Sequence, residues 1–193
     1  MKLFLMRHFP HIGNKSAYFG STDLSLKDQN QRLIDITDEI DVYASPLLRC
    51  KESAHVIGLN DPVILQDARE IDFGEWEGLT FEEISHLYPK KVDEWAKKND
   101  FRFPGGEALL DFGNRVQNLS TYLMSKNRDA LLITHGGVIR WLICYALGLN
   151  TMNYLCFKVD LGSLSCIEIF PQEKGVLNFL NNKETDTWAR LFL

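Results

Sequence analysis

The sequence has no apolar run long enough to cross a lipid bilayer, and it has no surplus of basic residues. A membrane-spanning helix needs about 20 consecutive apolar residues, whereas the first apolar run begins at Leu3 and ends before Arg7. The chain carries 26 acidic and 21 basic residues, a formal net charge of −5. Because nucleic acids and anionic membranes bind basic surfaces, we expect neither as a partner. We expect a cytoplasmic protein without a signal peptide.

Cysteine is also scarce, and its spacing argues against the common cysteine-based sites. The four cysteines, Cys50, Cys144, Cys156 and Cys166, form no CxxC pair. Zinc sites and the disulfide frameworks of small secreted proteins usually show closer and more regular cysteine spacing. Three of the four lie in apolar surroundings. We therefore expect structural thiols in a reducing compartment, and no metal site.

The length and the pattern of apolar residues predict one domain over residues 1–193. With 193 residues, 45% of them hydrophobic, the chain can bury one sizeable core. Short apolar runs predict strands at Lys2–Met6, Val42–Ser45, Val63–Gln66, Leu131–Thr134, Leu164–Phe170 and Val176–Leu180. Apolar residues at intervals of three and four predict helices at Pro46–Gly58, Glu107–Ser125 and Gly137–Leu147. Pro46 is expected in the first turn of its helix.

The order of these elements predicts an α/β fold, a three-layer α/β/α sandwich with a mostly parallel central sheet. The segment Phe81–Lys98 is expected to form two shorter helices broken at Tyr88-Pro89, because a proline disfavours helical geometry at the residue before it. We expect the surrounding stretch, about residues 72–106, to be a helical flap inserted into the domain. Residues 183–193 receive no assignment.

Two histidines follow directly after predicted buried strands. The first apolar run ends in Arg7-His8, and the run near residue 133 ends in Thr134-His135-Gly136-Gly137. In open α/β sheets the ligand crevice lies outside the carboxyl ends of the strands. This placement predicts a two-histidine active site, although a histidine can also simply end a strand.

Arginines near the two histidines indicate phosphoryl chemistry. The planar fork of arginine binds phosphoryl oxygens in pairs, and a neutral imidazole can attack phosphorus. Arg7 and His8 could thus serve as clamp and nucleophile. Arg49 is predicted in the first turn of the helix after Ser45-Pro46, where backbone N–H groups also favour an anion. The alternative for Arg49 is an ordinary solvated helix residue.

Several motifs occur in the order found in the histidine phosphatase superfamily, which includes the phosphoglycerate mutases. They are Arg7-His8, Asn14, Gly20–Leu26, Ser45–Arg49, Glu70–Gly78, Pro104–Glu107 and Thr134–Gly137. The resemblance runs from residue 2 to about residue 180. It implies a phosphatase that needs no metal ion and no cofactor.

The resemblance also implies residue roles. His8 would be transiently phosphorylated, with Arg7, Arg49 and His135 around the transferred group, and Glu70 would be the acid/base. Asn14, Gly20 and Gly136 would bind phosphate or substrate, and His11 and Glu107 are secondary candidates. The chemistry supports Glu70, because expelling an alkoxide needs a proton and the attacking water must later lose one. Three other acids within eight residues are rivals for this role: Asp72, Glu75 and Glu77.

Two residues depart from the family pattern. The family usually has glycine directly after the catalytic histidine and threonine three positions after it, where this chain has Phe9 and His11. Phe9 implies either an ordinary backbone conformation or a strained one. His11 could replace the threonine hydroxyl as a phosphate donor or line the entrance. We favour the entrance, because a cationic imidazole among arginines is unfavourable.

Within the superfamily, the chain most resembles the α-ribazole phosphatases. Three features carry this resemblance: the short length of the chain, the Glu70–Gly78 segment, and the Phe157–Ser163 segment directly before the strand predicted at Leu164–Phe170. This resemblance implies that the substrate is a small-molecule phosphomonoester, namely α-ribazole 5′-phosphate. Removal of its phosphate is a step in the assembly of the cobalamin nucleotide loop. The alternatives are a broad-specificity sugar or metabolite phosphatase, a phosphoglycerate mutase, and a weakly catalytic module that binds phosphoproteins. The sequence leaves open whether the protein is a homodimer, because apolar stripes on helices usually face the core and therefore do not identify a subunit interface.

Overall fold

The computed structural model describes residues 1–34, 39–97, 100–170 and 174–192. Its centre is a six-stranded sheet of β1 (Lys2–Arg7), β2 (Asp41–Ala44), β3 (Val63–Ile64), β4 (Ala130–Thr134), β5 (Leu164–Glu168) and β6 (Val176–Asn182). The strand order is β3-β2-β4-β1-β5-β6. The first four strands of this order are parallel, and β5 and β6 are antiparallel to their neighbours. The predicted mostly parallel sheet is confirmed.

Helices cover both faces of the sheet, as predicted. They are α1 (Leu48–Val56), α2 (Phe81–Leu87), α3 (Pro89–Trp95), α4 (Leu109–Ser125), α5 (Gly136–Leu147) and α6 (Thr185–Trp188). Because side chains alternate across a strand, Leu3 and Leu5 pack with α4 and α5, whereas Phe4 and Met6 pack on the opposite face with α1 and the C-terminal residues. None of the described helices is long and apolar enough to cross a membrane.

The predicted break between two short helices at Tyr88-Pro89 is confirmed. Helix α2 begins with a capping box between Thr80 and Glu83, and α3 begins at Pro89. The predicted end of this segment, Lys98, lies outside the described residues.

Several predicted element bounds are wrong by one or two residues, for example the start of α4 at Leu109 and the end of β5 at Glu168. Helix α1 begins at Leu48, because Leu47 is extended (φ −69°, ψ 139°), so Pro46 precedes the helix instead of opening it. Strand β3 has only two residues, Val63 and Ile64. Both are exposed at the sheet edge, and a 3₁₀ turn follows at Gln66–Ala68. Two of the C-terminal residues left without assignment pack on the sheet: Trp188 is fully buried, and the Phe192 ring lies 4.7 Å from that of Phe4.

Candidate active site

The sheet register brings the two histidines together. In the parallel pair of β1 and β4, Arg7 lies opposite Thr134, so His8 and His135 follow at the same edge. The backbone N–H of His8 donates to the Thr134 carbonyl at 3.0 Å. The two imidazole centroids are 5.2 Å apart, and both side chains are buried.

The ring of His8 is held in one tautomer. Its Nδ1 lies 2.8 Å from the carbonyl oxygen of Phe9. A carbonyl can only accept, so Nδ1 carries the proton and Nε2 carries the lone pair. Burial, followed by the charges of Arg49 and Arg7, holds the pKa of His8 well below its usual value. His8 is therefore a neutral imidazole with Nε2 available as a nucleophile.

His135 sits directly before α5, behind His8. Its Nε2 shares a 2.7 Å hydrogen bond with the Ser45 hydroxyl and lies 3.4 Å from the thiol sulfur of Cys50. Burial, then the charge of Arg49, lowers the pKa of His135 well below its usual value. Burial raises the pKa of the Cys50 thiol to about 12, so it remains protonated. Cys144 and Cys166 are buried like Cys50, whereas Cys156 is exposed.

Arg7 lies between the two strand ends and the start of α5. Its Nη1 donates to the Val159 carbonyl at 2.5 Å, and its buried Nε has no protein partner. Burial lowers the pKa of Arg7 to about 10, so the guanidinium stays charged at neutral pH. A Cβ on Gly136 would lie 3.3 Å from the guanidinium carbon. Gly136 therefore allows Arg7 to approach the helix N-terminus closely.

Arg49 is fully buried, so its interpretation as a solvated helix residue is wrong. Its Nη1 and Nη2 donate to the carbonyls of Thr22 and Gly20, each at 2.7 Å. The backbone N–H groups of Gly20 and Ser21 in turn donate to the Glu77 carboxylate at 2.8–3.0 Å. Arg49 and Glu77 thus hold the 20–22 loop from two sides.

The Glu70 carboxylate receives two backbone hydrogen bonds, from Gly137 N at 2.9 Å and Ile71 N at 3.1 Å. A Cβ on Gly137 would lie 2.3 Å from Glu70 Oε1, so only glycine permits this contact. Among the rival acids, Asp72 accepts from Gly74 N at 2.9 Å and Glu75 from the Tyr88 hydroxyl at 3.1 Å.

Sequence reasoning missed Arg115, which fixes the backbone beside Glu70. Its guanidinium donates to both carboxylate oxygens of Glu107, at 2.7 and 2.9 Å. It also donates to the carbonyls of Asp67, Arg69 and Glu70, at 2.6–2.9 Å. Glu107 therefore belongs to this ion pair.

A cavity of about 360 Å³ opens beside His8, and we refer to it as the phosphoryl cavity. The residues predicted for the site that line it are Arg7, His8, His11, Asn14, Glu70 and Gly136. Four predicted residues are not among its lining residues: Gly20, Arg49, Glu107 and His135. His11 is half-buried, with its ring centroid 5.7 Å from that of His8. Its pKa is lowered by burial and then by Arg49 and Arg7.

Arg140 also lines the phosphoryl cavity and was not predicted. Its Nε donates to the Phe157 carbonyl at 2.8 Å. It lies on α5 one turn after Gly136, and residues four apart share a helix face. This spacing was the one signal in the sequence that could have identified it.

Phe9 has an ordinary backbone conformation, because the only described non-glycine residues with positive φ are Asn127 and Asn181. Its N–H donates to the Ser53 hydroxyl at 2.9 Å, and the Arg32 guanidinium carbon lies 4.7 Å from its ring centroid. A Cβ on Gly162, which has φ +65°, would lie 2.7 Å from the Phe9 ring. The ring thus packs into the core, away from the cavity wall.

No group of three or more His, Cys, Asp or Glu side chains in the described parts of the chain could hold a metal ion. The polar lining of the phosphoryl cavity includes the imidazoles of His8 and His11, three basic side chains and one carboxylate; the basic side chains are Arg7, Lys15 and Arg140, and the carboxylate is Glu70. Such a set can bind an anion, attack it with nitrogen and move a proton.

Comparison with known proteins matches residues 3–183 to the histidine phosphatase superfamily, branch 1. Phosphoserine phosphatase 1 of Hydrogenobacter thermophilus is 28% identical over 191 residues, covering 92% of this chain and 90% of that protein. The 2-carboxy-D-arabinitol-1-phosphatase of Triticum aestivum is 26% identical over 90% of this chain, which spans only 38% of the wheat protein. The crystal structure of the α-ribazole phosphatase from Shigella flexneri has the same fold, with a TM-score of 0.79 at 24% identity, covering 95% of this chain and 97% of that one. This chain is a phosphatase and belongs to branch 1 of the histidine phosphatase superfamily.

Proposed function

We propose that the protein hydrolyses small phosphomonoesters through a phosphohistidine at His8. The observation that carries this proposal is the 2.8 Å hydrogen bond from His8 Nδ1 to the Phe9 carbonyl, which leaves the Nε2 lone pair free. In the first step, Nε2 bonds to phosphorus while the bond to the ester oxygen breaks, and Glu70 protonates that oxygen. In the second step, water attacks phosphorus, Glu70 takes its proton, and the P–N bond breaks.

The surrounding residues have distinct roles in this proposal. Arg7, with its unpartnered Nε, binds the phosphoryl oxygens together with Asn14 and the backbone N–H of Gly136. Burial, reinforced by the charge of Arg49, keeps His8 and His135 neutral. Gly20 acts through its carbonyl, which holds Arg49. No metal ion or cofactor takes part.

The substrate that we propose is α-ribazole 5′-phosphate, supported by the fold shared with α-ribazole phosphatase and by the short chain. The alternative is another sugar or metabolite phosphomonoester, which the similarity to phosphoserine phosphatase 1 favours. The departure at Phe9 is the sequence feature that would favour a weakly catalytic phosphoprotein-binding module, but its ordinary backbone conformation lends that alternative no support. We propose a single cytoplasmic domain with a flap over the leaving group, to which the described residues 72–97 and 100–106 belong.

The test is phosphate release from a panel of phosphomonoesters in the presence of EDTA. The panel contains α-ribazole 5′-phosphate, phosphoserine, 3-phosphoglycerate and p-nitrophenyl phosphate. We expect hydrolysis throughout, with the highest kcat/KM for α-ribazole 5′-phosphate and no change when magnesium is added. Activity that requires magnesium would contradict the mechanism. A higher kcat/KM for phosphoserine would favour the alternative substrate.

A further inference from the structure

A second cavity adjoins the phosphoryl cavity, on the far side of Glu70. It has a volume of about 230 Å³, and we refer to it as the aromatic cavity. The two cavities share Tyr18, Glu70, Phe73 and Arg140 as lining residues. Since Glu70 is the proposed proton donor to the ester oxygen, the group attached to that oxygen is directed from the first cavity into the second.

The aromatic cavity has two groups of aromatic side chains in its wall. Tyr18, Phe73, Phe103 and Trp95 form one group, with ring centroids 5.2 Å apart for Tyr18–Phe73 and 5.0 Å for Phe73–Phe103. Phe112, Trp141 and Tyr154 form the other, with centroids 5.5 Å apart for Phe112–Trp141 and 5.8 Å for Trp141–Tyr154. The two groups meet where the side chains of Trp95 and Tyr154 are hydrogen-bonded. Together they give the cavity two connected aromatic walls.

We propose that the aromatic cavity binds a planar aromatic ring carried by the leaving alcohol of the substrate, an inference that rests on the proposed function. Aromatic rings prefer offset-stacked or edge-to-face neighbours, which two aromatic walls provide. An apolar cavity of about 150 Å³ holds one benzene ring, so this cavity has room for one or two fused rings. Sugars expose hydroxyl groups on every side, and these would find few partners among such side chains.

The test compares two esters with the same 5′-oxygen as leaving group, α-ribazole 5′-phosphate and methyl ribofuranoside 5-phosphate. Only the first carries an aromatic ring. Burial of a ring of this size predicts a kcat/KM at least about tenfold higher for the aromatic ester. Equal kcat/KM values for the two esters would overturn the inference while leaving the phosphatase activity intact.

Two matched variants locate the effect. Leu155 lines the aromatic cavity and is 59% exposed, whereas Leu110 is 58% exposed and is not among its lining residues. Leu155→Trp should lower kcat/KM for the aromatic ester at least about tenfold more than for the methyl riboside, because the larger ring occupies the subsite. Leu110→Trp should leave both values at the wild-type level. Equal losses for the two esters in Leu155→Trp would overturn the assignment.

A binding measurement decides the inference independently of turnover. The His8→Ala variant, which lacks the nucleophile, is titrated calorimetrically with each ester. We expect α-ribazole 5′-phosphate to bind at least about tenfold more tightly than the methyl riboside. Equal affinities would overturn the aromatic subsite. If the wild-type protein hydrolysed neither ester, the proposed function would fail, and the two affinities would still decide whether the cavity binds a ring.

Discussion

Arg115 and Glu107 are joined by two parallel hydrogen bonds, from Nε to Oε1 at 2.7 Å and from Nη2 to Oε2 at 2.9 Å. Both side chains are largely buried, with exposed fractions of 11% and 17%. Arg115 also donates to the backbone carbonyl of Glu70 at 2.9 Å. The ion pair therefore acts on Glu70 through the backbone, as a positioning element.

Arg115→Ala should lower the free energy of unfolding by about 3–5 kcal/mol, because it leaves a buried carboxylate unpaired. Arg102→Ala is the control. It breaks the ion pair with Asp111, whose side chains are 61% and 56% exposed, and should cost at most about 1 kcal/mol. Urea unfolding of both variants measures the difference. Equal losses of free energy of unfolding in the two variants would show that the ion pair of Arg115 stabilises the fold no more than the exposed ion pair of Arg102.

The Glu70 carboxylate can be distinguished from its acidic neighbours by substrates with different leaving groups. Glu70→Gln should lower kcat/KM far more for alkyl phosphates than for p-nitrophenyl phosphate, because an alkoxide needs a proton and a nitrophenolate does not. Asp72→Asn and Glu75→Gln should affect all substrates alike, since these carboxylates hold loop contacts. A uniform loss in Glu70→Gln, with a graded loss in either neighbour, would assign the proton transfer to that neighbour.

Phe9→Gly would restore the usual family residue, yet we expect it to harm the protein. The ring is buried, contacts Gly162 and lies beneath Arg32. Its removal should lower the free energy of unfolding by about 3–5 kcal/mol, as for other buried phenylalanines. The kcat of the folded variant should not rise. A stable variant with higher kcat would show that Phe9 restrains catalysis.

The positions of His8 and His135 could be predicted from the sequence, because each ends a continuous apolar run that is buried on both sides of a parallel sheet. The strand register then brings the two histidines together, because Arg7 lies opposite Thr134. The break before Pro89 was equally predictable from the geometry of proline.

The contacts of Arg115 could not be predicted. Its partners include the carbonyls of Asp67 and Glu70, more than 40 residues earlier in the chain, and backbone acceptors leave no trace in residue type. The burial of Arg49 was hidden for the same reason, because its partners are also carbonyls.

Lowering the pH should destabilise the fold through the two buried imidazoles. The pKa values of His8 and His135 lie well below 6.5 in the folded chain, whereas the unfolded imidazoles take up protons near 6.5. The contribution of the two neutral imidazoles to the free energy of unfolding is thus fully present above about pH 6.5. Below that pH the free energy of unfolding decreases, by up to about 1.4 kcal/mol per pH unit for each histidine. Urea unfolding at several pH values gives the free energy of unfolding as a function of pH. We expect this free energy to fall less steeply with decreasing pH in His135→Gln than in the wild type. The control is His55→Gln, which removes an exposed histidine. A wild-type slope in His135→Gln would contradict the account.

The covalent intermediate at His8 is tested most directly by rapid quenching in alkali during turnover of a ³²P-labelled ester. Phosphohistidine survives alkali and is lost in acid, so the account predicts label on the peptide that contains His8, in an amount approaching one phosphoryl group per chain. The label should disappear on mild acid treatment and be absent from His8→Ala. Turnover without label, or label that persists in His8→Ala, would contradict the mechanism.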